Sequence, residues 1–436
     1  MSETTVQRLF SFIEQSPTAF HAIEYMRKKL LDEGYIQLLE GTDWQLTPGK
    51  GYFVIRNGSA ILAFRIPEGA PVGFQIMASH SDSPMFKIKA HPEMETEGHY
   101  VRLNVEKYGG MLCAPWFDRP LSVAGRLIVQ TAEGIQQVLC DVSRDLVMIP
   151  NLAIHMNRQA NDGVKLEAQK DLLPLYGDET AKGTFLPLVA ESAGVKPEDI
   201  VSSDLFVYNR MPGTVWGAHG EYMSIGRLDD LQCAFSSLEA FLAAGEGESI
   251  PVHCVFDNEE VGSGTQQGAA STFLLDTLTR ICEALGLSAA QYRRMLASSM
   301  MVSADNAHAV HPNHPEKACP TNRPYMNEGI VIKYSANQKY TTDAVSAALF
   351  MQICEKAGAK VQIFVNHSDV PGGSTLGNIS GTQVALHTVD IGLAQLAMHS
   401  PYETAGVKDT DTLIAAGKVF FESSVCECGY GRYVIK

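Results

Sequence analysis

The sequence predicts an α/β protein with a mostly parallel β-sheet, helices on both of its faces, and a β-rich domain inserted into the chain. From about residue 223 onwards, helical and strand-like segments alternate, which is typical of a parallel sheet. Between about residues 88 and 222 this alternation is missing, and short β-rich pieces are separated by polar loops. A chain of 436 residues also exceeds a typical single core. We therefore predict one domain from residues 1–87 and 223–436, and a second from the insert 88–222.

The N-terminal segment predicts two helices followed by a hairpin. Residues 5–34 carry apolar side chains at helical spacing. These are Val6, Leu9, Phe10 and Ile13 in the first helix, and Phe20, Ile23, Met26 and Leu30 in the second. Residues 51–66 predict a β-hairpin, because two apolar runs flank Asn57-Gly58, a strong signal for a two-residue turn.

The C-terminal half carries the α/β pattern. Apolar stripes at helical spacing lie at 231–242 and 345–353. Each stripe is followed by a short apolar run, at 250–256 and 361–365, that predicts a buried strand.

Composition narrows the class of partner and the compartment. The net charge of −15 argues against nucleic acid and anionic membranes as partners. The start of the sequence lacks the features of a signal peptide, and no run of about 18 apolar residues predicts a membrane span. The nine cysteines are scattered without a Cys-x-x-Cys pair, so we expect a reduced, cytoplasmic protein.

The adjacent carboxylates Glu259 and Glu260 are the strongest functional signal. They follow the predicted strand 250–256 and precede a glycine-containing loop. Active sites of α/β sheets lie at the carboxyl ends of the strands. A Glu-Glu pair there offers one carboxylate to a metal and leaves the other free as a general base. An acidic loop in an acidic protein is the simpler interpretation of the pair alone.

Further His, Asp and Glu residues stand at the edges of apolar elements. The five that we predict as metal ligands are His80, Asp229, Glu260, Asp305 and His399. Such nitrogen and carboxylate ligands suit Zn²⁺, with Co²⁺ or Mn²⁺ as substitutes. One edge residue of this kind is usually a cap or a satisfied polar group, but five with a spare glutamate favour a hydrolase with two metal ions.

The predicted chemistry assigns a role to each group. Asp229 would bridge two divalent ions, and a water held between them would be activated for attack. Glu259 would accept the proton of that water and pass it to the leaving amine. Asp82, two residues after His80, would hydrogen-bond the second imidazole nitrogen and fix its tautomer.

These segments resemble the M18 aminopeptidases, the aspartyl aminopeptidase family of dinuclear zinc peptidases. The similar segments, in the order of the family, are Ala78–Pro84, Gly226–Leu231, Asp257–Ser263, Ser303–Asn313 and Met398–Ser400. The resemblance extends over essentially the whole chain. It implies the dinuclear zinc peptidase fold, and the ligand and base roles given above. It also implies that 88–222 is a dimerisation domain and that the particle is a tetrahedral dodecamer built from dimers.

The resemblance also implies substrate-binding residues. His155 is similar to a histidine that reaches the active site of a neighbouring subunit, where it binds either substrate or metal. His308, Lys333 and Tyr340 are similar to residues around the substrate. Residues 371–377 present either a plain turn or backbone amides for a carbonyl oxyanion. Asp230 stands where many relatives carry Asn, so it is the alternative to Asp229 as bridge.

The sequence therefore predicts a zinc aminopeptidase acting on peptides, with Lys333 favouring an acidic first residue. The Gly-x-Ser-x-Gly elbow of serine hydrolases and the His-Glu-x-x-His zinc motif are both absent. Two alternatives stay open. One is a deacylase or related amidohydrolase on the same metal pair, and the other is a non-catalytic shell protein. A metal assay combined with aminoacyl-anilide turnover separates the three.

Overall fold

The computed structural model describes residues 4–436. Its α-helices are α1 (Thr5–Glu14), α2 (Ala19–Asp32), α3 (Ala168–Asp171), α4 (Phe185–Ala193), α5 (Leu228–Ala243), α6 (Phe273–Ala284), α7 (Ala289–Ala297), α8 (Ala344–Ala357), α9 (Leu376–Ser380) and α10 (Asp409–Glu422). Its strands are β1 (Ile36–Leu38), β2 (Gly51–Arg56), β3 (Ala60–Arg65), β4 (Phe74–His80), β5 (Met85–Thr96), β6 (Tyr100–Tyr108), β7 (Leu121–Thr131), β8 (Gly134–Asp141), β9 (Leu175–Asp178), β10 (Ile200–Asn209), β11 (Thr214–Trp216), β12 (Tyr222–Ile225), β13 (Ile250–Phe256), β14 (Met300–Ala304), β15 (Ala307–His308), β16 (Ile330–Tyr334), β17 (Val361–Val365), β18 (His387–Gly392), β19 (Ala394–Leu396), β20 (Glu403–Gly406), β21 (Val425–Glu427) and β22 (Tyr433–Ile435).

The largest sheet has nine strands in the order β1-β2-β3-β13-β4-β14-β18-β16-β17. Its centre, β13-β4-β14-β18, is parallel as predicted. The whole sheet is mixed, because β3 and β16 pair antiparallel with their central neighbours. The reversal at β3 follows from the predicted hairpin, whose turn residues Asn57 and Gly58 both have positive φ, 54° and 68°.

Helices cover both faces of this sheet, in agreement with the predicted class. Side chains of α1, α2, α5, α8 and α10 form one apolar core with one face. Side chains of α6, α7 and α9 form a second core with the other face. Successive residues of β2 belong to different cores, Phe53 to the first and Val54 to the second, because neighbouring side chains of a strand point to opposite faces.

The predicted β-rich segment contains an antiparallel six-stranded sheet in the order β8-β7-β10-β5-β6-β9. This sheet has its own apolar core, which includes Phe86, Trp116 and Val207. Its strands lie between Met85 and Asn209. The following strand, β11, pairs instead with β12 in a five-stranded sheet with β20, β19 and β15. Within residues 4–436, no helix is both long and apolar enough to cross a membrane.

Candidate metal centre

Three adjacent central strands end at the same edge and carry most of the predicted site. His80 is the last residue of β4, Asp305 directly follows β14, and Glu259 and Glu260 lie in the turn after β13. The strands are neighbours in the order β13-β4-β14 and run parallel, so their carboxyl ends meet. The sheet therefore brings these four side chains together.

Asp229, in the first turn of α5, lies between two imidazoles. Its Oδ1 is 3.5 Å from Nε2 of His80, and its Oδ2 is 3.4 Å from Nε2 of His399. The same nitrogen of His399 lies 3.4 Å from Oε2 of Glu260. Each carboxylate oxygen of Asp229 thus faces a different histidine.

The potential ligand atoms fall into overlapping groups, within each of which all atoms lie within 4.8 Å of one another. These groups are His80, Asp229, Asp230 and Asp305; His80, Glu259 and Glu260; and Asp229, Glu260 and His399. The cluster contains all five predicted ligands together with Asp230 and Glu259. Asp229 belongs both to a group with His80 and to the group with His399, whereas Asp230 belongs only to the group with His80.

The cluster fits divalent cations. Oδ1 of Asp229 and Oε1 of Glu260 are buried and have no hydrogen-bond partner. Burial raises the pKa of Glu260 and of Asp305, because the charged carboxylates lose their hydration. For Asp229 burial acts in the same direction, but the imidazoles of His399 and His80 outweigh it and lower its pKa. Buried carboxylates with unpaired oxygens, next to imidazole nitrogens, are the donor set of a Zn²⁺ site.

Glu259 shares this environment. Burial raises its pKa to about 8, and the carboxylates of Asp305, Asp82 and Asp229 contribute in the same direction. A bound cation would favour the ionised form of Glu259.

Asp82 contacts three residues of the cluster, His80, Glu259 and Glu260. Its Oδ1 lies 3.3 Å from Nδ1 of His80 and accepts a 3.1 Å hydrogen bond from the main-chain N–H of Glu259. Its Oδ2 accepts a 3.2 Å bond from the N–H of Glu260 and a 2.7 Å bond from the Tyr108 hydroxyl. The main-chain carbonyl of Asp82 is also 3.1 Å from Nδ1 of His80.

Glu403 is a buried carboxylate at this centre that the sequence analysis did not identify. Its Oε2 accepts a 3.0 Å hydrogen bond from the N–H of Asp229, and its Oε1 accepts a 2.7 Å bond from the N–H of His399. Glu403 therefore links the main chains of Asp229 and His399, whose side chains face each other in the cluster. The one sequence signal was its position four residues after His399.

A cavity of about 150 Å³ opens beside the cluster. His308, Lys333 and Tyr340 line it together with Asp229, Glu259, Asp305 and His399. Gly373, Ser374 and Thr375, from the segment predicted as a turn or an oxyanion site, line it as well.

Lys333 lies at this cavity and has partners within the protein. Its Nζ donates a 2.7 Å hydrogen bond to the main-chain carbonyl of Asp305 and lies 3.6 Å from Oδ2 of the same residue. The ammonium also lies 5.2 Å from the centre of the Tyr340 ring.

His155 is not part of this cavity. It lies in an exposed, irregular segment between β8 and α3. Leu152, Ile154 and Met156 around it are also exposed, at 56%, 44% and 74%.

The chain matches the family model "Aminopeptidase I zinc metalloprotease (M18)" over residues 12–421. It belongs to the M18 family. A probable M18 family aminopeptidase 2 of Clostridium acetobutylicum is 44% identical over 411 residues, covering 92% of this chain and 95% of the relative. A probable aspartyl aminopeptidase of Ricinus communis is 36% identical and covers 95% of this chain and 94% of the relative. The S. cerevisiae mApe1 dodecamer superposes with a TM-score of 0.84 at 28% identity, covering 95% of this chain and 96% of that one.

The predicted family and enzyme class are thereby confirmed: this M18 protein is a zinc metalloaminopeptidase, a hydrolase of peptide bonds. The comparisons do not favour a deacylase or a non-catalytic shell protein. Among residues 4–436, the buried cluster of His and carboxylate side chains could hold metal.

Proposed function

We propose that this M18 enzyme removes single N-terminal residues, preferentially Asp or Glu, from peptides, using two zinc ions and Glu259 as general base. His80, Asp305 and Oδ1 of Asp229 would hold one ion, and Oδ2 of Asp229, Glu260 and His399 the other. The observation that carries this proposal is the position of Asp229, whose two oxygens lie 3.5 Å and 3.4 Å from the imidazoles of His80 and His399.

Asp230, the alternative bridge, is less suited to that role. Its Oδ2 accepts a 3.1 Å hydrogen bond from the main-chain N–H of His80. This bond occupies one oxygen and directs the carboxylate towards the His80 side of the cluster. Asp229 has no such bond to either oxygen, so we assign the bridge to Asp229.

Zinc ions, when bound, would lower the pKa of the nucleophilic water and polarise the scissile carbonyl. The chain supplies proton transfer and orientation. Glu259 lines the cavity beside the proposed ligands and would accept the proton of the attacking water. It would then deliver this proton to the leaving amine. Asp82 would fix the orientation of His80 and of the Glu259–Glu260 backbone through the contacts described above.

Lys333 supports the proposed acidic preference. It is 2% exposed yet lines the cavity, so its charge acts in a poorly hydrated environment. In the ligand role, Asp305 would share its negative charge with a cation, which leaves the ammonium to attract an anionic substrate side chain. A peptide beginning with Lys would instead place two like charges together.

We further propose that residues 88–222 form a dimerisation domain and that the particle is a tetrahedral dodecamer of dimers. One relative of the same fold is a dodecamer. The exposed apolar side chains around His155 also fit a contact with a second subunit, in which His155 would reach the partner's cavity. Light scattering tests the assembly. His155→Ala should lower turnover without loss of metal if this arrangement holds.

Turnover of aminoacyl-p-nitroanilides by the enzyme loaded with zinc, cobalt or manganese tests the proposed reaction. We expect release of p-nitroaniline that a chelator abolishes and added metal restores. N-acetylated anilides are the matched control, because an aminopeptidase requires a free amine. Release of acetate from the blocked substrates would favour a deacylase, equal release of p-nitroaniline from them would favour a related amidohydrolase, and no turnover with any of the three metals would favour a shell protein.

A comparison of Glu-, Leu- and Lys-anilides on wild type and Lys333→Ala tests the specificity. We expect the Glu-anilide to have the highest kcat/KM with the wild type. The substitution should reduce this value more than that of the Leu-anilide. Unchanged ratios would remove Lys333 from substrate selection while leaving the proposed reaction intact.

A further inference from the structure

The end of strand β6, in the six-stranded sheet, lies against the metal centre. Residues 108–112 make two hydrogen bonds with it. The Tyr108 hydroxyl donates to Oδ2 of Asp82 at 2.7 Å, and the N–H of Leu112 donates to the His399 carbonyl at 3.1 Å. Gly109 has a φ of +75°, and a Cβ there would lie 3.1 Å from Cβ of Glu260. A Cβ on Gly110 would lie 4.0 Å from Nδ1 of His399. Gly109 thus permits a close approach of this backbone to Glu260, one of the proposed ligands.

Tyr108 is also linked to the turn that carries Glu259 and Glu260. Its hydroxyl accepts a 2.8 Å hydrogen bond from Nδ2 of Asn258. Asn258 has a φ of 60°, so it adopts the left-handed conformation immediately before Glu259. Its side-chain oxygen in turn accepts bonds of 2.8 Å from both Thr265 and Gln267.

We propose that Tyr108 is a positioning residue for Glu259 and Glu260, and that the six-stranded sheet thereby forms part of the metal centre. The hydroxyl fixes two groups at once. One is the Asp82 carboxylate, which accepts from the main-chain N–H of both glutamates. The other is the Asn258 side chain, which sets the turn before them. This inference rests on the proposed roles of Glu259 and Glu260.

The Tyr108 ring has a separate, structural role. It packs edge-to-face against Phe206 of β10, with ring centres 5.7 Å apart. Removal of the hydroxyl keeps this packing and removes both hydrogen bonds. Tyr108→Phe therefore separates positioning of the site from folding of the sheet.

The experiment compares Tyr108→Phe with Tyr100→Phe. Tyr100 is the matched control, because it lies on the same strand and is 52% exposed. Zinc affinity is measured on the metal-free proteins by chelator competition, and kcat and KM are measured with an aminoacyl anilide. For Tyr108→Phe we expect a decrease of about 10-fold in zinc affinity and in kcat, as is typical for groups that orient ligands, with KM unchanged. Tyr100→Phe should have the zinc affinity, kcat and KM of the wild type. The metal-free forms of all three proteins should have the same Tm.

A double-mutant cycle tests whether Tyr108 acts through Asp82. The combined loss in Asp82→Asn with Tyr108→Phe should be smaller than the sum of the two single losses, because without the Asp82 carboxylate Tyr108 keeps only its hydrogen bond with Asn258. Additive losses, or a Tyr108→Phe enzyme with wild-type zinc affinity and kcat, would overturn the inference. Either result leaves the proposed function standing as long as the wild type hydrolyses the anilide with zinc.

Discussion

The two sides of the metal centre are built differently. On the inner side, His80 ends a central strand and its side chain is 1% exposed, while Asp305 directly follows the neighbouring strand. On the outer side, His399 lies in a loop between β19 and β20, has a φ of 66°, and its side chain is 32% exposed. Strand ends in a packed sheet hold their side chains more rigidly than loops do. We therefore expect the inner ion to bind more tightly and to exchange more slowly than the outer one.

Asp229→Ala should abolish the difference in affinity between the inner and outer ions, because Asp229 is the proposed ligand that both ions share. We expect the loss of both ions and of all measurable turnover. Elemental analysis of the purified variant checks the metal content. Asp230→Asn is the matched control, since it keeps an oxygen that can accept from the N–H of His80, and it should retain both ions. Two ions per subunit in Asp229→Ala would transfer the bridge to Asp230.

Glu259→Gln should retain both metal ions and still lose most of the turnover. The amide keeps the size of the side chain and loses its basicity, and positioned proton transfer typically contributes about 10²–10⁴-fold. We expect kcat to fall within this range and metal content to stay near the wild-type value. More than about a tenth of wild-type kcat would show that Glu259 is not the base.

Single substitutions on each side should separate the two ions. His399→Ala should lose the outer ion and retain the inner one, whereas His80→Ala should lose the inner ion. Timed release of zinc to a chelator should show two phases for wild type, and the faster phase should be missing from His399→Ala. A single phase in the wild type would mean that the two sides do not differ in exchange.

The stability of the metal-free protein should depend on pH through His253, which lies in the strand that precedes Glu259 and Glu260. His253, in the central strand β13, is fully buried, bonds Ser237 at 2.8 Å, and burial lowers its pKa to about 3. The unfolded chain takes up this proton near pH 6.5, so stability is complete above that pH and falls as pH decreases below it. The expected loss is about 1.4 kcal/mol per pH unit.

Urea unfolding of the metal-free protein at pH 7 and 5.5, compared with His253→Asn, measures this dependence. The variant should lose less stability between the two pH values than the wild type does. An equal loss in both proteins would exclude His253 as its source.

The sequence predicted the elements with strong local signals. Helices α1 and α2, the hairpin β2–β3 and the parallel centre of the large sheet are confirmed. The reversed directions of β16 and β17 were not predicted, because the hydrophobic pattern of a buried strand does not encode its direction. The same pattern gave no indication of the five-stranded sheet, whose short strands come from distant parts of the chain.

The residues of the candidate site also differ in whether a local sequence signal predicts them. His80, Glu259, Glu260 and Asp305 were predictable because each follows an apolar run, and parallel strands end at one edge. Asp229 and His399 were also predicted as edge residues of apolar segments, although the structure places them at a helix start and in a loop. Tyr108 was not predicted, because its contacts with Asp82 and Asn258 span 26 and 150 residues of the sequence. Glu403 lies four residues after His399, but its contact with Asp229 spans 174 residues.

The order of the groups along the chain has a consequence for biosynthesis. The cluster takes its first member from residue 80 and its last from residue 399. A chain still on the ribosome therefore lacks a complete cluster until nearly all of it has been made, however early its first domain begins to fold. Full occupancy by metal would thus require synthesis to proceed past His399, and truncation before that residue would yield a product that lacks one of the proposed ligands of the outer ion.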